Sequence, residues 1–285
     1  MYSVVFDKSI LHGATFEGLK SSSVGQCVNL GKLNIFYTDR FIRETLQRTK
    51  PYMARLADEF NWLVQINNVN LFRSVCDIIE LELNGEQRQR DFYLRPKEEI
   101  SSIIDSCTDA INGKEPSTMF DVLEKERKRN KLQRLEAREP RNSLRKDTPK
   151  TDFVFEEKYE EFVERFAESY LRYHFPDKWN DYFNFWKTER TRCEFTEHYL
   201  RAWFSTRFLP LVNRQLPIHR NDRTDAEQLA HLCWTDIFVS DDEKFMKTAF
   251  DLLYQRTGKR RMTSLQFFGF TEELVAESIT EGNTI

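Results

Sequence analysis

The sequence predicts an α/β protein whose central parallel sheet is built from both ends of the chain, with a large, mostly α-helical insertion between them. Short apolar runs at 4–6 and 237–239 are typical of buried strands. Between them, residues 51–217 repeatedly place apolar side chains at helical spacing. The 285 residues include 24 Phe but only 9 Gly and 8 Pro, which favours a helix-rich body with aromatic packing and few tight turns.

This pattern divides the chain into three parts. Residues 1–50 and 218–285 contain the predicted strands and form the first and second parts of the predicted core. Residues 51–217 form the predicted helical insertion, and residues 124–150 within it are a separate charged segment.

The first part begins with a short strand. Residues 4–6 predict a buried strand, and residues 9–11 start a helix. The stretch 18–31 contains three consecutive serines and three glycines, which predicts a loop. Residues 33–37 predict a second strand, and the apolar residues at 41–46 favour a helix after it.

The insertion is predicted to be helical along most of its length. Residues 58–83 have helical periodicity with a break near 67–68. Aromatic residues recur every three or four positions at 155–170, and a second aromatic helical region follows at 179–208. We expect these aromatic side chains to pack in a core.

The charged segment 124–150 has eleven basic and five acidic residues, a net charge of +6. It has too few apolar residues to bury a core, so we expect an exposed helix or linker. One interpretation is a solvated helix with internal ion pairs. Another is docking onto an acidic surface, for which the Glu-rich helix at 156–168 of a neighbouring copy is a candidate. A third is contact with nucleic acid phosphates, for which the candidates are Arg127, Lys128, Arg129 and Lys131.

The last part returns to alternating helices and strands. A helix is predicted from 226, a strand at 237–239 and another helix at 243–254. Residues 261–268 predict a final strand, and we expect a loose tail beyond 278.

Composition excludes several classes of protein. The net charge is −3, from 43 basic and 46 acidic residues, so any surface for a polyanion must be local. No apolar run is long enough for a membrane span, and no secretory signal is expected at the N-terminus. The five cysteines are scattered, which argues against a disulfide framework or a cysteine zinc site. We therefore expect a cytosolic protein with no membrane partner.

Three acidic residues lie where a ligand site would form. Asp7 ends the first predicted strand, Asp225 opens a helix, and Asp242 follows the strand at 237–239. Ligands bind at the carboxyl ends of parallel strands in open α/β sheets. Carboxylate oxygens are ligands that Mg²⁺ or Mn²⁺ prefers, so the acids predict a divalent-metal site.

The residues around these acids resemble PIN-domain nucleases. The stretch VVFDKSIL at 4–11 is similar to that family's opening strand, where an Asp is followed two residues later by Ser, Thr or Asn. Residues 33–46 (LNIFYTDRFIRETL) are similar to its second strand and helix, with Glu44 at the position of the helical acid. Residues 225–230 and 237–242 are similar to the late helix and strand, where the fourth acid follows Thr or Ser by two positions.

The resemblance implies a PIN-like three-layer core and a metal-dependent nuclease with four acids around Mg²⁺ or Mn²⁺, acting on RNA in preference to DNA. The implied catalytic residues are Asp7, Glu44, Asp225 and Asp242. The implied metal ligands are Asp7, Asp225 and Asp242, with Ser9, Ser240 and Asp241 in supporting positions.

Several assignments have alternatives. Asp39 competes with Glu44, Asp222 with Asp225, and Asp241 with Asp242 for the inner position. Each acid could instead cap a helix, since Asp is favoured at helix N-termini.

The predicted function also has a rival. A PIN-like nuclease with a large insertion would suit a toxin or defence effector, by analogy, and the insertion would govern substrate access, a regulatory partner or self-association. The alternative is a non-catalytic scaffold that binds nucleic acid or protein through its helical insertion.

Overall fold

The structure is a computed structural model. It describes residues 1–38, 50–66, 68, 70–85, 94–114, 155–212 and 227–282.

A five-stranded parallel sheet forms the centre of the described residues. Its strands are β1 (Tyr2–Phe6), β2 (Leu33–Tyr37), β3 (Asn70–Leu71), β4 (Ile237–Val239) and β5 (Arg260–Met262). They lie in the order β3-β2-β1-β4-β5, and every pair is parallel. The predicted α/β class with a central parallel sheet is therefore confirmed. The chain builds outward from β1 through β2 and β3, then continues on the other side with β4 and β5, so the strand order reverses between β1 and β4.

Besides the helical residues 227–230, ten α-helices accompany the sheet in the described ranges. They are α1 (Gly13–Ser21), α2 (Val24–Asn29), α3 (Lys50–Gln65), α4 (Val75–Leu83), α5 (Lys97–Ile111), α6 (Phe155–His174), α7 (Trp179–Thr188), α8 (Glu194–Val212), α9 (Phe245–Tyr254) and α10 (Ser264–Gly282). Short 3-10 helices occur at Lys8–Leu11, Arg190–Arg192 and His231–Cys233. None of the helices in this part of the chain is long and apolar enough to cross a membrane.

Hydrophobic cores cover both faces of the sheet, because successive strand side chains point to opposite faces. Val5 of β1 belongs to a core that includes buried residues of α4, α6, α7, α8 and α9. Val4 and Phe6 belong to a second core with α1, α2, α3, α5 and α10. The insertion's aromatic residues pack as expected, since Trp186, Phe195 and others are fully buried in the first core.

The loop predicted at 18–31 is wrong, because α1 and α2 occupy most of it. Two of its three glycines, Gly18 and Gly25, are sites of close helix packing. A Cβ atom at Gly18 would lie 3.3 Å from the Phe268 ring, and one at Gly25 would lie 3.2 Å from Ile66. At these two positions glycine indicates close packing rather than a turn, whereas Gly31 has a positive φ of 67° in the turn before β2.

The helical pattern predicted at 58–83 is interrupted by a strand. After α3 ends at Gln65, Asn70 and Leu71 form β3 beside β2. The Asn68 side chain accepts a hydrogen bond from the Ile35 amide at 2.9 Å, and Asn70 donates to the Asn34 side chain at 2.6 Å. The side chains of Asn68 and Asn70 thus bind the segment between α3 and α4 to β2. The predicted helical insertion at 51–217 therefore contributes one strand, β3, to the sheet.

The C-terminal region is more helical than predicted. Of the strand predicted at 261–268, only residues 261 and 262 lie in a strand, β5. The helix α10 begins at Ser264 and continues to Gly282, through the tail that was expected to be loose beyond 278. The helix start has a reciprocal cap: Thr263 donates its amide to the Gln266 side chain at 2.9 Å, and Gln266 donates its amide to the Thr263 hydroxyl at 3.3 Å. This Thr-x-x-Gln spacing is a helix-start pattern that the strand prediction overlooked.

Candidate metal centre

The site predicted from the acids lies where the strand order reverses. Asp7 follows β1 and Ser240 follows the neighbouring strand β4, and the Asp7 amide donates to the Val239 carbonyl at 2.8 Å. This hydrogen bond extends the β1–β4 ladder to the edge of the sheet. A reversal of strand order leaves a crevice at the carboxyl ends of the two central strands, which is where ligands bind in open α/β sheets.

Asp7 is a partly buried carboxylate with two hydrogen bonds from described residues. The Ser240 hydroxyl donates to Asp7 Oδ2 at 2.8 Å, and the Ser9 amide donates to Oδ1 at 3.4 Å. Burial raises the pKa of Asp7 above its ordinary value of 3.8, and the nearby charge of Asp242 raises it further, while the hydrogen bonds from Ser240 and Ser9 oppose the rise. A cation at this position would relieve that cost.

Asp242 lies beside Asp7 and also caps a helix. Its Oδ1 accepts hydrogen bonds from the amides of Lys244 and Phe245, both at 2.8 Å, at the start of α9. Its own amide donates to the Ser240 hydroxyl at 3.2 Å. Ser240 therefore links the two acids, and the described hydrogen bonds leave Oδ2 of Asp242 for a ligand.

The neighbouring Asp241 is directed to another helix. Its carboxylate accepts from the Ser264 amide at 2.7 Å and from the Ser264 hydroxyl at 2.8 Å, at the start of α10. Of this doublet, only Asp242 is among the charges that raise the pKa of Asp7. The geometry thus separates two acids that the sequence left as alternatives.

The remaining site residues predicted from the sequence lie outside the described residues. These are Glu44, Asp225 and the basic candidates Arg127, Lys128, Arg129 and Lys131. The alternatives Asp39 and Asp222 also lie outside them. Within the described ranges, no group of three His, Cys, Asp or Glu side chains is placed to hold a metal ion.

Thr38 is a further polar residue at this edge that the acid pattern did not select. It follows β2 and is fully buried, and its hydroxyl has no hydrogen-bond partner among the described residues. Val5 pairs with Phe36, so two further steps along the same register place Thr38 beside Asp7. The sequence signal for Thr38 is its position directly after an apolar strand.

The described donors suit a hard divalent cation. They are carboxylate and hydroxyl oxygens from Asp7, Asp242, Ser240 and Thr38, which is the donor type that Mg²⁺ and Mn²⁺ prefer. The buried Thr38 hydroxyl has no hydrogen-bond partner within the described part of the chain. A bound ion or its water could supply one. The described pair of acids fits part of a metal site, and Asp225 and Glu44 would have to complete it.

Comparisons with protein-family models, with curated proteins and with solved structures give no match.

Proposed function

We propose that this protein is a divalent-metal-dependent nuclease that hydrolyses phosphodiester bonds, with RNA favoured over DNA as substrate. The observation that carries the proposal is the linked pair Asp7–Ser240–Asp242 at the point where the strand order reverses. The sequence resemblance to PIN-domain nucleases supports it independently, because it singles out the same residues by their order along the chain.

The proposed roles follow from the hydrogen bonds. A bound Mg²⁺ or Mn²⁺ supplies a water of lowered pKa and neutralises charge on the phosphodiester. Asp7 would offer a carboxylate that is already destabilised as a free anion by burial. Ser240 fixes the orientation of that carboxylate by donating to Oδ2. Asp242 would offer Oδ2, since its Oδ1 is held by the start of α9.

Substrate contacts and regulation are part of the same proposal. The basic segment 124–150 would contact phosphates, and Asp225 and Glu44 would complete the acid set. The helical insertion would control access to the site or bind a regulatory partner, as in a toxin or defence effector.

A scaffold without catalysis is the second candidate, and a specific observation favours it. Asp7, Asp241 and Asp242 each accept main-chain amides at the start of a helix: Lys8–Leu11, α10 and α9 respectively. Helix caps stabilise a fold without any metal. If these acids only cap helices, they need no cation, and the protein is expected not to cleave nucleic acid.

The test compares cleavage of labelled RNA and labelled single-stranded DNA in Mn²⁺, Mg²⁺ and EDTA. Asp7→Asn and Asp242→Asn should abolish metal-dependent cleavage, because each removes a carboxylate charge. Asp241→Asn is the matched control, since it changes the adjacent acid that faces α10. Asn is also a good helix cap, so none of the three substitutions tests capping.

Thermal unfolding with Mn²⁺ separates the two candidates when no cleavage is seen. A cation at a hundred times its Kd stabilises by about 2.7 kcal/mol, which corresponds to a rise in Tm of roughly 4–5 °C for a chain of 285 residues. The nuclease proposal expects this rise in the wild type and its loss in Asp7→Asn. No rise in the wild type, together with no cleavage, would favour the scaffold. Equal cleavage by wild type and variants would reject these acids as the site.

A further inference from the structure

Arg261 holds the main chain of the segment that carries Ser240 and Asp242. Its Nη2 donates to the Ser240 carbonyl at 3.0 Å, to the Asp242 carbonyl at 2.8 Å and to the Glu243 carboxylate at 2.8 Å. The Arg261 side chain is only 9% exposed. One guanidinium group therefore contacts three of the five residues between β4 and the start of α9.

The strand β5 and the residue that starts α10 also bind the segment that carries Ser240 and Asp242. The Ser240 amide donates to the Met262 carbonyl at 2.9 Å, and Asp241 is held by Ser264. Arg261 itself pairs with Phe238 in the sheet. The position of the segment 240–243 is thus set by β5 and the residues that follow it.

A buried guanidinium in this place needs an explanation beyond packing. Burial of a charge is costly unless the charge is hydrogen-bonded and paired. The single described carboxylate partner, Glu243, is 55% exposed, so the ion pair by itself contributes little. The more specific contacts are those to the carbonyl groups of Ser240 and Asp242. All three contacts come from Nη2, and a Lys side chain ends one atom short of that position, so its ammonium group is a poor substitute in this contact.

We propose that Arg261 is a positioning residue for the divalent-metal site. It fixes the main chain at 240–243, so that the Ser240 hydroxyl reaches Asp7 and Asp242 stays beside it. This inference rests on the proposed function, since it assigns Arg261 to the same metal site. In the described contacts Arg261 meets main-chain carbonyls and Glu243, and the carboxylates of Asp7 and Asp242 keep their own donors. It therefore acts through the geometry of the ligands.

The test measures binding of Mn²⁺ alone, from the electron paramagnetic resonance signal of free Mn²⁺ during titration. Residues that orient metal ligands typically change metal affinity by about 10–100-fold when substituted. We expect a loss of that size in both Arg261→Ala and Arg261→Lys. Arg260→Ala is the matched control, because Arg260 is the preceding, exposed arginine of β5 and lies over the Tyr2 ring instead. Its affinity should equal that of the wild type.

Chemical rescue distinguishes positioning from general stability. Guanidinium ion at a non-denaturing concentration should restore Mn²⁺ affinity to Arg261→Ala, because it can occupy the vacated place between the two carbonyls. Urea unfolding in EDTA reports the stability of each variant separately. If Arg261→Ala does not fold, Arg261→Lys supplies the affinity comparison, because it keeps the positive charge.

The outcomes are distinguishable. Wild-type affinity in both Arg261 variants would overturn the role of Arg261 and leave the metal site standing. A loss of affinity that only parallels a loss of stability, without rescue, would also overturn it. If the wild type does not bind Mn²⁺, the proposed function fails and Arg261 has no metal site to position.

Discussion

Asp7→Asn is expected to stabilise the metal-free protein while it removes the response to Mn²⁺. The amide oxygen of Asn can still accept from the Ser9 amide, and its NH2 group, in the place of Oδ2, can donate to the Ser240 hydroxyl. Asn is also as favourable as Asp at a helix N-terminus. The substitution removes the charge that burial makes costly. A carboxylate kept for binding should be a liability when no cation is present, and this is the trade-off between stability and activity seen at many functional sites.

The size of the effect follows from linkage between protonation and folding. The pKa of Asp7 is higher in the folded protein than its ordinary value of 3.8. Protonation of Asp7 therefore stabilises the folded protein. This contribution is complete when the pH is below the pKa of Asp7 in the unfolded chain, and it is lost as the pH rises through the pKa of Asp7 in the folded protein. At neutral pH, ionised Asp7 then costs about 1.4 kcal/mol for each pH unit between the two pKa values. Asn, which does not ionise, avoids this cost.

Urea unfolding in EDTA, at neutral pH and in mild acid, measures this cost. The variant should be more stable than the wild type at neutral pH, and the difference should shrink in acid. Asp236→Asn is the matched control, since Asp236 accepts from the amide and hydroxyl of Ser3 at 2.8 and 2.7 Å but is exposed. It should gain no stability. If Asp7→Asn is no more stable than the wild type at neutral pH, ionised Asp7 does not carry the expected stability cost.

Two further predictions concern buried acids outside the candidate metal centre. Glu82→Ala should lower the free energy of unfolding by about 3 kcal/mol, because Glu82 accepts hydrogen bonds from two buried amides and a hydroxyl of Phe195 and Thr196 at the start of α8. Urea unfolding checks this, with Glu80→Ala as the control because the Glu80 side chain is 45% exposed. A loss equal to that of the control would contradict the prediction. Burial raises the pKa of Glu59 above 4.5, so wild-type stability should fall as pH rises above that value. Glu59→Gln should flatten the slope by up to about 1.4 kcal/mol per pH unit, and parallel curves for the two proteins would count against this.

The sequence predicted the parts of the site that depend on strand periodicity. Apolar runs at 4–6 and 237–239 are short and end at polar residues, so their carboxyl ends could be placed at one edge of a parallel sheet. The structure brings Asp7, Ser240 and Asp242 together at that edge. Assignment to a PIN-like core and to a metal-dependent nuclease stays a prediction.

Features that depend on tertiary contacts could not be predicted in the same way. Asp241 and Asp242 differ in role because α10 begins beside one and α9 beside the other. The strand β3 has two residues, too few for a periodic signal, and needs the asparagine contacts to β2. Arg261 has no distinguishing pattern in a basic stretch, since its function depends on carbonyl groups some twenty residues earlier in the chain.

The hydrogen bond between Asp7 and Ser240 joins residues 233 positions apart, which has a consequence during protein synthesis. At about 5–20 residues per second, roughly 10–50 s separate the synthesis of the two residues. A nascent chain that has produced β1, β2 and the whole insertion still lacks Ser240, Asp242 and Arg261. Premature release or proteolysis before β4 therefore leaves Asp7 without Ser240 and Asp242, so the proposed cleavage activity would arise only in chains that extend through β5.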